Sequence, residues 1–311
     1  MNEKITIVTR KSKLALQQTE IVKQELLQQH PDLQIEVIGI STSGDELLDQ
    51  PLNKIGGKGL FITELEQYLL QGKADIAVHS MKDMPAKLTE GLGIGAILTR
   101  ADARDVFVSK EYATFKDLPA GSIVGTSSLR RQAQILLMRH DLKVQPLRGN
   151  VETRLNKMLA GEYAAIILAA AGLERLGLKE WIQQPFDPMH LLPAVGQGAI
   201  GVEYKLDNTA IKQILEPLND IDTALCVHAE RAMNAMLDGG CQAPIAGYAT
   251  IDKETLTLHG KVVDPNGLFI YTDVLSGPKH DAIKIGKAVA EQLIGEGAQE
   301  LIEKLRHQWQ R

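Results

Sequence analysis

Apolar and polar positions along this chain follow two alternating rhythms, one of period two and one of period near 3.6. Residues 4–9 (KITIVT) alternate as a strand does, and residues 12–30 place Leu14, Ile21, Val22, Leu26 and Leu27 at helical spacing. Residues 33–40 predict a second strand. A loop with Ser43, Gly44 and Asp45 and a glycine-rich GGKG follows, then a helix through Phe61, Leu65 and Leu69 to about Gln71, then a short apolar strand at 74–79. Strands alternating with helices predict an α/β domain with a largely parallel sheet.

The pattern restarts after Ala101-Asp102, with strands at 105–109, 123–125, 143–147 and 164–169 and helices at 128–140 and 151–159. This predicts a second α/β unit of similar size. Residues 198–204 form one more apolar strand, whose sheet the pattern alone does not assign. From Ile221 the character changes to a helix reaching about Leu237, alternating segments near 245–251, 255–262 and 268–274, and helices from Asp281. Grouped strands flanked by helices predict a smaller α+β domain with an antiparallel sheet. A length of 311 residues accommodates two or three domains.

No window approaches the roughly 18 consecutive apolar residues of a membrane span. The N-terminus, MNEKITIVTR, enters a strand pattern without the basic and apolar regions of an export signal, so a cytoplasmic protein is expected. Two cysteines, Cys226 and Cys241, make no disulfide framework, and their separation fits neither a paired-cysteine zinc site nor a thioredoxin motif, so no metal is expected. A net charge of −5 argues against a general nucleic-acid binder. The arginines, however, are unevenly placed: Arg100, Arg104, Arg130, Arg131, Arg139, Arg148, Arg154 and Arg175 are eight of the twelve. Arginine pairs bidentately with carboxylate and phosphate, so the concentration points to an anion site, against the plainer alternative of a solvated helix surface.

Four stretches carry candidate chemistry. Gly125-Thr126-Ser127-Ser128-Leu129-Arg130-Arg131 leaves a strand and opens a helix, where unpaired N–H groups favour an anion; Ser127 or Ser128 as a simple cap is the alternative. Arg148 and Arg154 follow the next strand, at the sheet edge where open α/β folds bind ligands. Gly56-Gly57-Lys58-Gly59 lacks the spacing of a phosphate loop, although Lys54 and Lys58 on flexible backbone could still reach an anion. In His79-Ser80-Met81-Lys82-Asp83-Met84-Pro85 the Asp83 carboxylate follows an apolar strand, where it could stabilise a developing cation or serve as a turn residue before Pro85. Finally, Gly239-Gly240-Cys241 with Pro244 places a thiol on a turn, whereas Cys226 falls within a helical pattern and reads as a small hydrophobe. Nucleophile, attachment point and inert thiol all remain open for Cys241.

In order, TRKSKLAL, IGGKGLF, ADIAVHSMKDMP, SIVGTSSLRRQ, LRGNVETRL, AIILAAAGLERLG, LPAVGQGAIGVE and ERAMNAMLDGGCQAPI resemble the porphobilinogen deaminase (hydroxymethylbilane synthase) family. The resemblance runs from the first strand into the third domain, with variation at Lys13 and Met84 beside the motifs. It implies a monomeric transferase of tetrapyrrole (haem) biosynthesis that joins four porphobilinogen molecules head to tail with loss of ammonia and frees a linear hydroxymethylbilane. It implies a dipyrromethane cofactor held by a thioether to Cys241. Lys82, Ser128, Arg130, Arg131 and Arg154 would hold cofactor carboxylates, with Thr126 and Ser127 helping. Arg10, Ser12, Arg148, Arg154 and Arg175 would surround porphobilinogen and the growing polypyrrole chain. A six-pyrrole stage carries about twelve carboxylates, which calls for many charge-assisted partners.

By the same resemblance Asp83 would accept hydrogen bonds from pyrrole N–H groups and stabilise the charge of an azafulvene-like electrophile. Lys54, Gly56, Gly57 and Lys58 would form a mobile loop. The implied fold is two α/β domains like those of periplasmic binding proteins plus the α+β C-terminal domain: residues 1–98 with 199–218, residues 104–194, and residues 221–311. A two-domain solute-binding protein also accounts for the α/β units and arginines, but it predicts an export signal and gives Cys241 no task. A thiol redox protein lacks a resolving cysteine at a useful spacing.

Overall fold

The computed structural model describes residues 4–42, 62–238 and 243–309. Lys54, Gly56, Gly57, Lys58 and Cys241 therefore lie outside the described residues. The first sheet opens with β1 (Lys4–Arg10), α1 (Lys13–Gln29) and β2 (Gln34–Ile40), and α1 starts where the Ser12 side chain accepts from the Ala15 N–H. It continues through α2 (Thr63–Leu70), β3 (Ile76–Ser80), a 3-10 turn at Met81–Asp83, and β4 (Leu92–Ile97). The second sheet takes β5 (Asp105–Val108), β6 (Ile123–Gly125), α3 (Leu129–Met138), β7 (Lys143–Gln145), α4 (Val151–Leu159), β8 (Ala165–Ala169), α5 (Ala170–Arg175) and β9 (Gln184–Pro185). The chain then supplies β10 (Ile200–Lys205) and α6 (Thr209–Leu215). A C-terminal part follows, of α7 (Ile221–Met236), β11 (Ile245–Asp252), β12 (Thr255–Val263), β13 (Ile270–Pro278), α8 (Ala282–Gly295) and α9 (Ala298–Trp309).

The two larger sheets have the same connectivity. Their orders are β2-β1-β3-β10-β4 and β7-β6-β8-β5-β9, and in each the fourth strand runs antiparallel to both neighbours. That reversed strand is in each case the one the chain reaches by crossing from the other sheet. The strand at 198–204, unassigned by its pattern, thus belongs to the first sheet. Each sheet is apolar on both faces, as strands covered by helices require. Val22 and Leu26 of α1 pack with Ile5, Ile7, Ile76 and Val202 on one face of the first sheet, while Leu65 and Leu69 of α2 pack with Val8 and Ala77 on the other. The second sheet buries Phe107, Val124 and Ile167 under α3 and Val106, Ile166 and Leu168 under α4 and α5.

The third sheet is antiparallel, β11-β12-β13, and packs on α7, α8 and α9 through Met233, Leu258, Val289 and Ile302. Helices α7 and α8 approach so closely that a Cβ on Gly286 would collide with the Ala229 carbonyl, which explains a glycine in mid-helix. Cys226 is 7 % exposed in this core and burial pushes its thiol up to about 12, so it behaves as the small hydrophobe its helical position suggests. The third alternating segment runs at Ile270–Pro278 instead of 268–274. Leu268 and Phe269 mislead the pattern because they are exposed, at 77 % and 44 %, ahead of the strand.

The two crossings, at 98–104 and 186–199, are tied to each other and to α7 by buried polar groups. Leu98 N donates to Ile200 O at 3.0 Å, and Arg100 Nε donates to Gln197 O at 2.8 Å. Arg100 also pairs with Glu230, which is fully buried, at 2.6 Å. Glu230 accepts in addition from Gly196 N at 2.7 Å and Ala249 N at 2.8 Å, so one carboxylate of α7 joins both crossings and β11. Gln197 Nε2 donates to Ala103 O at 2.6 Å and Asp105 Oδ1 at 2.9 Å, and Asp105 receives Arg130 and Arg131, each at 2.7 Å. Burial alone would raise the Asp105 carboxyl, but the two guanidiniums outweigh it and hold Asp105 well below its ordinary range.

Removing one member of a buried ion pair leaves its partner uncompensated, at a cost of about 3–5 kcal/mol. Glu230→Gln is therefore expected to lower the unfolding free energy by about that amount in urea titrations. An unchanged midpoint would remove this carboxylate from its structural role.

Candidate active site cleft

The carboxyl ends of β1, β3, β6, β7 and β8 face one another across the gap between the two larger sheets. The cleft there is lined by Arg10, Ser12, Lys13, Lys82, Asp83, Ser127, Arg131, Arg148, Arg154 and Glu152, with Gly149, Asn150 and the apolar Leu14, Val151 and Leu168. Six of these side chains are cationic and two are carboxylates, so the cleft carries a surplus of positive charge. A groove with that balance attracts an anion bearing several carboxylates.

Each side chain arrives from an element end. Arg10 closes β1 and Ser12 caps α1. Lys82 and Asp83 occupy the 3-10 turn after β3, with Met81 and Met84 on either side of them buried at 1 % and 4 %. This alternation sends the two charged side chains toward the cleft while the methionines anchor the turn. Gly196, at φ +71°, lies beneath it: an added Cβ would sit 2.9 Å from the Met81 Cβ and 3.2 Å from the Lys82 nitrogen. Only glycine allows that approach.

Across the cleft, Ser128 caps α3 by accepting from Arg131 N at 3.4 Å, and Thr126 Oγ1 accepts from Ser128 N at 3.2 Å. The Ser127 hydroxyl donates to Leu147 O at 2.9 Å. Of the three hydroxyls, Ser127 alone reaches the cleft lining among the described residues, while Thr126 and Ser128 build the helix start. Arg131 lines the cleft and donates to both Asp105 and Ile167 O. Arg130 lies beneath it, bonded to Asp105 and to Leu192 O at 2.7 Å. Arg154 donates from Nε to Gly149 O at 2.8 Å, which holds its guanidinium at the start of α4.

Burial pulls the Lys82 amine down to about 8, with Asp83 opposing the fall and Arg131 adding to it. Burial likewise takes Arg154 down to about 10, assisted by Arg131 and opposed by Asp83. Arg148 is lowered by burial as well. These cations are brought together at a cost, and a bound polycarboxylate would relieve it.

Arg175 is placed elsewhere. It donates to Gly198 O at 2.7 Å and lines a second cavity with Glu25, Thr99, Ala101, Glu174 and Lys179, beside the crossings. The other clustered arginines also have structural tasks: Arg100 in the buried network, Arg104 with Asp102 at 2.6 Å, and Arg139 with Asp141 at 2.7 Å. Two cleft groups were missed by the pattern, Lys13 and Glu152, which form an ion pair at 2.7 Å linking α1 to α4 across the gap. No spacing signal could have paired residues so far apart in the chain.

The family models and a curated relative agree on one family. Residues 5–213 match the family model described as porphobilinogen deaminase, dipyromethane cofactor binding domain, and residues 224–295 match porphobilinogen deaminase, C-terminal domain. The porphobilinogen deaminase of Chromobacterium violaceum is 50% identical over 300 residues, which cover 96% of this chain and 97% of that protein. Among solved structures, a putative methionine-binding lipoprotein from Bacillus subtilis gives a TM-score of 0.44 at 12% identity, covering 70% of this chain and 91% of that one. A periplasmic substrate-binding protein of an ABC transporter from Coxiella burnetii gives 0.44 at 14% identity, covering 73% and 96%. With a family model spanning the two larger sheets and a relative half identical over nearly the whole length, the chain belongs to the porphobilinogen deaminase family.

Proposed function

We propose that this chain condenses four porphobilinogen molecules head to tail with loss of ammonia, on a dipyrromethane primer bound through Cys241, and then releases linear hydroxymethylbilane by hydrolysis. The observation that carries the reading is the cationic cleft in which the Asp83 carboxylate is set among Lys82, Arg131 and Arg154. The donor set fits a dipyrromethane: its acetate and propionate groups match a surplus of cleft cations, three of which are held below their ordinary proton affinity by burial. When bound, that group supplies a nucleophilic pyrrole carbon at which the chain is extended.

The protein's own residues bind, orient and stabilise. Lys82, Arg131 and Arg154 hold cofactor carboxylates, and Ser127 adds a hydroxyl at the same edge. Arg130, Thr126 and Ser128 act one step behind, keeping α3 and Arg131 in place. Arg10, Ser12 and Arg148 receive the carboxylates of incoming porphobilinogen. Asp83 accepts from pyrrole N–H groups and stabilises the positive charge that spreads into the substrate ring as ammonia departs, an interaction strengthened by the partial exclusion of water. The working units are residues 1–98 with 199–218, residues 104–194 and residues 221–311, in a monomer acting in the cytoplasm. Among the described residues, no helix is long and apolar enough to cross a membrane.

Three outcomes test this reading. Denatured protein should carry a covalent mass excess matching two linked pyrrole units, absent from Cys241→Ser; unmodified mass in active enzyme would sink the tether. Asp83→Asn should keep that excess and lose turnover by about 100-fold or more, because an amide cannot neutralise a cation; near-normal kcat would remove Asp83 from its role.

The third concerns Lys82, which burial holds near 8 against an ordinary 10.5. Below pH 8 it is charged in folded and unfolded chains alike and its desolvation cost is undiminished. Between about 8 and 10.5 the folded chain loses the proton first, so its contribution to stability rises with pH while the cleft loses charge. Calorimetric affinity of the Cys241→Ser protein for a small tricarboxylate should therefore fall as pH rises from about 7 to about 9. Lys82→Met should remove most of that fall, and a fall of equal size in that variant would count against Lys82 as an anion partner.

A further inference from the structure

The turn that carries Lys82 and Asp83 is gripped from outside the sheet it belongs to. Arg231, on α7, donates from Nη2 to Pro85 O at 2.8 Å and to Ala86 O at 3.4 Å, and from Nη1 to Met84 O at 3.4 Å. One guanidinium thus spans three successive carbonyls on the exit from the turn, 145 to 147 residues away in the chain. Beneath the same turn, Ala224 and Val227 of α7 pack in one apolar cluster with Met81 and Met84. The turn's entry is fixed by Met81 N donating to Ala199 O at 3.0 Å, and its exit by Pro85, which confines Met84 to the extended conformation it adopts at φ −70°, ψ 133°.

We infer that Arg231 is a positioning residue for the condensation: it sets the direction of the Asp83 carboxylate from the C-terminal part of the chain. A planar fork is suited to this task, because its donors are fixed relative to one another and the carbonyls they hold cannot rotate independently. Its neighbour Glu230 binds the two crossings, so successive residues of one helix fix both the inter-sheet connection and the turn in the cleft. The same helix ends at Met236, shortly before Cys241 in sequence. Helix α7 is therefore the reference from which the turn that bears the carboxylate is placed.

The inference rests on the assignment of Asp83 made above, and its test separates the two. In holoenzyme verified by intact mass, Arg231→Met keeps an aliphatic stem and removes the donors. It should lower kcat about 10- to 100-fold with KM changed less than about threefold, the range a small misplacement of a catalytic group produces. Arg231→Lys, with a point charge in place of the fork, should recover part of the loss. Independently of activity, amide hydrogen exchange in Arg231→Met should accelerate at residues 81–88 and stay unchanged in the strands of the three sheets. A kcat within twofold of the parent in both variants would overturn the inference, as would unchanged exchange at 81–88 or acceleration spread across the molecule. If Asp83→Asn abolishes turnover while Arg231→Met does not, positioning fails and the Asp83 reading stands. If Asp83→Asn turns over normally, the carboxylate reading fails first.

Discussion

The structure depends on charges that have no water to return to. Arg100, Asp105, Arg130, Arg131 and Glu230 are all at least about nine-tenths buried at the point where the chain passes between its sheets. At that depth an ion is tolerable only with its partners in place, so the network has essentially one arrangement in place of a continuum of slightly looser ones. Gln197 is the neutral link, joining the Asp105 group to the Arg100 and Glu230 group through its amide and its own carbonyl. Apolar packing alone would let two sheets slide against each other. A buried polar junction with its ions paired specifies where they meet, and with it the separation of the strand ends that form the cleft.

This junction also shapes the electrostatics above it. Asp105 sits under α3 and neutralises part of the charge of Arg130 and Arg131, which lets a helix begin with two arginines at the edge of an already cationic groove. At Lys82 and Arg154 burial prevails instead, lowering them to about 8 and about 10 with only partial opposition from nearby carboxylates, Asp83 first among them. The fold thus sets cations that it pairs itself beside cations that it holds at a desolvation cost.

Much of this was legible in the sequence, and the limits have physical causes. Residues 151–159 and 123–125 were read with their observed bounds, because their periodicity is undisturbed and they begin at clear turn or cap residues. Strand β4 was missed: LGIGAI has glycines at alternate positions, where Leu206, Tyr204 and Leu215 fill the space a side chain would take. Helix α5 was missed because six residues hold less than two turns. At the site, motifs brought Arg10, Lys82, Asp83, Arg148 and Arg154 to one cleft, but neither motif nor period separated the lining Arg131 from the buried Arg130 beside it. Glu230 and Arg231 lie within ERAMNAMLDGGCQAPI, but nothing in that stretch marks their roles, since long-range hydrogen bonds leave no trace in local spacing.

The reversed strand in each large sheet has a consequence for how the chain is made. β10 lies between β3 and β4, yet it emerges from the ribosome about a hundred residues after them. Until then two neighbouring strands of the first sheet have no common partner, and their backbone edges are open to pairing with other chains. The second sheet, whose strands 105–185 are contiguous in sequence, meets no such delay. The N-terminal half of the cleft is therefore completed by the last strand to join either large sheet, and a nascent chain stalled before residue 200 carries Arg10, Ser12, Lys13, Lys82 and Asp83 on a sheet that still lacks that strand.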